Sequence, residues 1–270
     1  MSGSQGRPVL FVHGLWIHSD AWEPWVQLFR QAGYDPLVAG WPGDLATAAQ
    51  TRADASGLGG VGIQAVTEAY EKIARNLPER PIVVGHSFGG LVAQKLLAQK
   101  VASAAVALSP APMKGVTKLP LAQVRSALPV LKSKANRSRA VALTRRQFRY
   151  AFGNAVTKAE AGELFERWAI PGPGRPLFEA TEAKKDPNSP TAVDTATADR
   201  GPLLIIGAGK DHTVPEVVAR QAFGLYERNA RTDYEVFADR GHSYVFDSGW
   251  QEIAEHTLRW LQETSGSHQG

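Results

Sequence analysis

Three short runs of this chain are apolar from end to end: Pro8-Val-Leu-Phe-Val12, Pro81-Ile-Val-Val84 and Leu203-Leu-Ile-Ile206. A fourth, Val101 to Leu108, is built of small and apolar residues and closes on Ser109-Pro110. A strand with one face in water alternates polar and apolar residues, whereas unbroken runs need cover on both sides. They therefore point to a parallel sheet between two layers of helices. Helical spacing fills the gaps between the runs. Trp22, Trp25, Val26 and Phe29 make one apolar face, with Asp20 and Glu23 as its expected capping pair and Gly33 as its end. Ile63, Val66, Tyr70 and Ile73 make a second, and Leu91 to Gln99 a third. Weaker strands are expected at Leu37 to Ala39 and Tyr234 to Phe237. A helix entered by Pro215 separates Tyr234–Phe237 from the Leu203 run. A last helix carries Trp250, Ile253, Leu258 and Leu261. The Ala/Gly-rich stretch up to Gly62 reads as loop. The fold class expected is α/β: a mostly parallel sheet, helices on both faces, and a helical insertion.

That insertion runs from 113 to 200 and divides the core into 1–112 and 201–270. It shows no obvious strand. Leu121, Val124, Leu128 and Leu131 are spaced three, four and three apart, with Pro129 expected to kink them. Thr157 and Glu160 read as a capping box before Leu164, Phe165 and Trp168, and Pro171-Gly-Pro-Gly174 stops that helix. Asp186-Pro-Asn-Ser-Pro190 reads as a surface loop. The segment is expected to cover the site as a lid.

With 270 residues, 43% of them hydrophobic, the chain suits one large domain. It has no cysteine, which excludes disulfides, thiol nucleophiles and cysteine metal sites. Met1 to Arg7 is short and polar, and no stretch nears the roughly 20 apolar residues of a membrane span. A cytoplasmic protein is expected. The formal charge is +4, but Lys114 to Arg149 holds ten basic residues and no acid, leaving 20 basic and 26 acidic residues elsewhere. Such a run can attract anionic substrates or membranes, or be a plain solvated face. No nucleic-acid motif accompanies it, so no nucleic-acid partner is expected. No metal or organic cofactor is implied either. Gly207-Ala-Gly209 lacks the third glycine and downstream acid of a dinucleotide loop.

Gly85-His86-Ser87-Phe88-Gly89 follows an apolar strand and precedes a helical pattern. In that setting G-x-S-x-G is a strained turn that lifts a serine hydroxyl off the sheet edge. The flanking glycines avoid collisions within the turn. The chain resembles the α/β-hydrolase family here, over nearly all of residues 8–262. The resemblance rests on Val12-His13-Gly14-Leu15-Trp16, the Ser87 turn, Gly207-Ala-Gly-Lys-Asp211-His-Thr-Val-Pro215, and Gly241-His242-Ser243. These occur in the family's order. The chain starts at what would be the family's third strand, so the usual N-terminal hairpin is expected to be missing.

The resemblance implies Ser87 as nucleophile, and a serine hydroxyl needs a base to take its proton. Among seven histidines, His13 and His86 belong to motif loops near the serine. His18, His256 and His268 lie in or beside polar segments, and His212 adjoins the acid loop. His242 sits in a Gly-flanked loop after the last strand and is the expected base. Asp211 is the expected orienting acid. The family's other position for the acid, Ser109-Pro-Ala-Pro112, has no carboxylate, and Asp239 and Asp247 read as loop caps. The resemblance implies an oxyanion hole from the backbone N–H groups of Leu15 and Phe88. Trp16 either lines the pocket or packs in the core. His86, Leu128, Phe148, Phe152 and Trp168 are the further substrate-contact candidates, with Leu131 and Leu164 beside them. Each large side chain among these serves equally to pack the insertion's own core.

The function expected is hydrolysis of a small to medium apolar carboxylic ester through an acyl-enzyme on Ser87. The partner is a small ester-like molecule. A triad-bearing small-molecule receptor, a carbon–carbon bond hydrolase and a perhydrolase are the alternatives on the same fold. Relatives with an aspartate nucleophile do not fit Ser87. Hydroxynitrile lyases of the family place lysine where Ser243 stands.

Overall fold

A computed structural model describes residues 6–227 and 229–266; His268 and the residues before Gly6 lie outside them. Its strands are β1 (Pro8–Val12), β2 (Asp35–Val38), β3 (Ile82–His86), β4 (Ala104–Leu108), β5 (Ala140–Val141), β6 (Gly172–Pro173), β7 (Leu203–Ala208) and β8 (Thr232–Phe237). Its α-helices are α1 (Glu23–Gln31), α2 (Ala48–Ala53), α3 (Ile63–Arg75), α4 (Phe88–Ala98), α5 (Leu121–Leu131), α6 (Arg145–Ala151), α7 (Lys158–Trp168), α8 (Arg175–Glu182), α9 (Glu216–Phe223) and α10 (Trp250–Gly266).

Six strands form one sheet in the order β2-β1-β3-β4-β7-β8, and every pair is parallel. The three apolar runs (the second from Ile82) and the Ala104–Leu108 part of the fourth lie in its interior strands, which are buried at every position. The two edge strands are partly exposed, as their mixed sequences require. From β1 the chain moves one way to β2 and later the other way through β3, β4, β7 and β8. Right-handed crossovers then set α1 on one face and α3, α4 and α9 on the other. α10 returns to pack on α1, and α3 packs on α4. The reversal opens a crevice between the C-terminal ends of β1 and β3, where a parallel sheet receives its ligand. The His13 loop and the Ser87 turn leave the sheet at that crevice.

Several local expectations change. The stretch read as loop contains α2, whose N-cap is Thr47 accepting from Gln50 N. Alanine and glycine density hid it. α1 has Trp22 at its N-cap and no side-chain cap; the 3-10 turn before it, Ser19–Trp22, is capped by His18, which accepts from Asp20 N at 3.2 Å. Asp20 itself faces His18 Nδ1 at 3.0 Å. Thr157 caps α7 as expected, but Glu160 does not close the box; its carboxylate accepts from Ser248 N at 2.7 Å. The insertion does hold strands, because β5 and β6 pair antiparallel over two residues each. Pro129 lies inside α5 without ending it.

Candidate active site

Ser87 stands between β3 and α4 with φ 57° and ψ −120°, a left-handed backbone that costs a non-glycine residue energy and is kept where it serves a site. Glycine is required around it. A Cβ on Gly85 would lie 2.0 Å from Gly89 O, and one on Gly14 would lie 2.7 Å from Ser87 Cβ and 3.3 Å from its Oγ. The first contact is with backbone that cannot yield. Gly85→Ala is therefore expected to destabilise the fold by about 3 kcal/mol, read as a lower urea midpoint. An unchanged midpoint would mean that the turn is not constrained in this way. The second contact shows that the loop after β1 lies directly against the serine.

Leu15 and Phe88 flank this contact. Phe88 opens α4, so its N–H is one of the helix's unsatisfied donors. Among the described residues neither N–H donates to a protein acceptor. His13 fixes the same loop. Its Nδ1 donates to Gly14 O at 2.9 Å and its Nε2 faces Asp44 Oδ2 at 3.0 Å. Trp41 N donates to that carboxylate at 2.8 Å.

His242 is fully buried, and its Nδ1 donates to Asp211 Oδ2 at 2.6 Å. The other carboxylate oxygen accepts from Thr213 N and Val214 N, both at 2.7 Å. An Asp followed by two free N–H groups is an Asx turn, so the sequence Asp211-His-Thr-Val orients its own carboxylate. His242 Nε2 is left with no hydrogen-bond partner, Ser87 Oγ included. The remaining carboxylates lie elsewhere. Asp247 accepts from Ser243 Oγ at 2.7 Å and from Gly249 N at 2.9 Å. Asp239 is exposed and pairs with Lys210. His212 turns away, bonding Tyr150 O through Nδ1 at 3.0 Å.

The His86 ring lies 4.4 Å from that of His242. Burial pushes its pKa well below the usual imidazole value, and the facing His242 adds to the shift. His86 is therefore disfavoured as a cation where it stands.

The insertion reaches this cluster through aromatic rings. Phe152 meets the His242 ring edge-on at 4.9 Å and stacks on Phe148 at 5.0 Å. Trp16 closes against Phe152 at 6.2 Å. Its Nε1 donates to Val141 O at 2.9 Å, and its backbone has φ 69°. The neighbouring backbone is tied as well: Ile170 N donates to Trp16 O and His18 N donates to Trp168 O, each at 3.0 Å. Sequence reasoning proposed Phe152 only as one of a set; its contact with His242 spans 90 positions and leaves no local signal. Leu164 and Trp168 are buried within the insertion, and Leu131 is half-buried. Leu128 is 53% exposed and lines nothing here. α5 turns its other side inward, so the expectation for Leu128 is corrected.

Among the described residues no three His, Asp or Glu side chains converge as metal ligands, and no helix is long and apolar enough to cross a membrane. A groove of about 1060 Å³ opens away from the Ser87 cluster, lined by Arg145, Arg146, Arg149 and Lys158.

A sequence profile described as an alpha/beta hydrolase family matches residues 9–256. Curated protein sequences give no match. Among solved structures, a methylesterase from Arabidopsis is similar over 95% of this chain and 99% of its own, at 16% identity and a TM-score of 0.64. A monoacylglycerol lipase from Paleococcus ferrophilus is similar over 96% of this chain and 97% of its own, at 20% identity and a TM-score of 0.62. An esterase from Thermogutta terrifontis is similar over 96% and 91%, at 15% identity and a TM-score of 0.67. At these identities the likeness is one of fold.

Proposed function

The chain belongs to the α/β-hydrolase family, and on that footing we propose that it cleaves small to medium apolar carboxylic esters through an acyl-enzyme on Ser87. The observation that carries this reading is the state of His242. Its Nδ1 is held by a buried carboxylate, its Nε2 is unengaged, and its ring lies 4.4 Å from that of His86, the residue before Ser87. Catalytic hydrogen bonds are often absent without substrate and tighten when it binds.

The steps follow from the groups present. Ser87 Oγ attacks the ester carbonyl as His242 Nε2 takes its proton. The carbonyl oxygen becomes an oxyanion between the N–H groups of Leu15 and Phe88. Asp211 stabilises the imidazolium and keeps its tautomer. The alcohol leaves with the proton from His242. Water then attacks the acyl group, His242 again takes and returns the proton, and Ser87 is restored. The insertion acts as the lid, with Trp16, Phe148 and Phe152 excluding water and meeting the apolar acyl group. His86 supports His242 and takes no part in proton transfer.

A fluorophosphonate probe should label the protein once, on the peptide holding Ser87. Repeated turnover of a generic p-nitrophenyl ester should accompany it, whereas one slow turnover with a stable adduct would indicate a receptor. Across acyl chains of increasing length, kcat/KM should peak at short to medium apolar groups. Phe152→Ala should move that peak to longer chains, raising their relative kcat/KM roughly tenfold. An optimum for a charged acyl group that disappears in salt would instead assign specificity to the Lys/Arg run.

A further inference from the structure

The helix α5 is built inside out. Its buried side carries Gln123, Ser126 and Ala127 together with Pro129 and Val130. Its outward side carries Leu121, Val124 and Leu128, spaced three and four apart, and Leu119 precedes them. Leu121 is 87% exposed and Leu119 66%. A row of this kind on one helix face calls for an occupant.

The charges around the row indicate which one. Lys118, Arg125 and Lys132 stand exposed within and beside it, with Lys134, Arg139, Arg146 and Arg149 following along the chain. Among the described residues none of these seven pairs with a carboxylate; Arg125 lies over the Tyr150 ring at 4.0 Å. The acids on α8, which packs against α5, are already engaged: Glu182 by Arg137 and Glu179 by Arg175. The face thus combines insertable leucines with unneutralised cations and no acid of its own.

We propose that this face of α5 docks on the surface of an anionic lipid bilayer, with Leu119, Leu121, Val124 and Leu128 entering the headgroup boundary and Lys118, Arg125 and Lys132 meeting lipid phosphates. An interfacial helix binds by this combination of apolar burial and charge, each cation adding roughly fivefold in partition near an anionic surface. The proposal does not depend on ester cleavage, because binding is read without turnover.

The test is co-sedimentation with vesicles of phosphatidylcholine alone and of phosphatidylcholine mixed with phosphatidylglycerol. Binding to the mixed vesicles should be at least about tenfold tighter and should weaken in high salt. Leu119→Ser with Leu121→Ser should lower it about tenfold, and Lys118→Gln, Arg125→Gln and Lys132→Gln together should remove the preference for anionic lipid. All five side chains are exposed, so both variants should keep the wild-type unfolding midpoint. Failure to bind mixed vesicles would overturn the proposal. So would binding that the leucine variant leaves intact, which would describe a plain polyanion patch. A dimer broken by the leucine variant, without vesicle binding, would assign the face to a second copy of the chain.

Discussion

Ser87→Ala is expected to lower ester turnover by about three orders of magnitude or more while leaving the fold intact. The loss follows from the turn. Ser87 has φ 57° with or without its hydroxyl, and alanine bears the same backbone cost, so only Oγ is removed. Gly14 packs on Ser87 Cβ, which alanine retains. Steady-state kinetics and a thermal unfolding curve on the same preparation separate the two effects. A folded Ser87→Ala enzyme with near-normal kcat would end the nucleophile assignment, and with it the acyl-enzyme.

A loss of about 10⁴-fold is expected for Asp211→Asn, the size that a wrong histidine tautomer brings to a Ser-His-Asp site. An asparagine here would keep its oxygen toward the N–H groups of Thr213 and Val214, both now 2.7 Å from the carboxylate. Its amide would then face His242 Nδ1 as a donor. The imidazole would have to carry its proton on Nε2, where it cannot accept one from Ser87. Asp239→Asn, at a side chain that is 91% exposed, should be silent. If Asp211→Asn were active and Asp247→Asn were not, the orienting acid would be Asp247.

How much of this was legible depends on whether the deciding interaction is local. The interior strands were readable because burial on both sides disfavours polar residues: β1 and β7 start where their runs do, β3 one residue later, and β4 only at Ala104, after the half-buried Ser103. The Ser87 turn was readable because steric exclusion at Gly85 acts within five residues. His242 and Asp211 could be named from their place after strands, and the structure bonds them to each other. The direction of α5 was not readable. Three-four spacing reveals that leucines share a face but not whether the face turns in or out, and contacts with α6 and α8 decide that. The contact of Phe152 with His242 was equally hidden, since it joins residues 90 positions apart. His18 displaced Asp20 as a helix cap because burial in the loop near Leu45 brought its ring to a backbone N–H that composition could not assign.

The backbone of Trp16 links two parts of the molecule that a hydrolytic cycle would need to treat separately. A tryptophan in the left-handed region relaxes unless its surroundings hold it, and Trp16 is bonded to Val141 and Ile170 of the insertion. Leu15, the neighbour proposed to supply an oxyanion N–H, is therefore coupled through Trp16 to the insertion. In the proposed cycle, wholesale departure of that segment would free Trp16 and with it the donor proposed at Leu15 at the moment a substrate arrived. Entry without that loss requires a smaller breathing motion, in which the Phe148–Phe152 stack withdraws from His242 while the Trp16–Ile170 seam stays shut. Amide hydrogen exchange distinguishes the two: fast exchange at Phe152 with slow exchange at Ile170 marks a hinged plug, and equal rates mark a lid that leaves as one body. In the hinged case, access to the serine and readiness of the site become independent quantities, and a variant can widen the door without dismantling the room behind it.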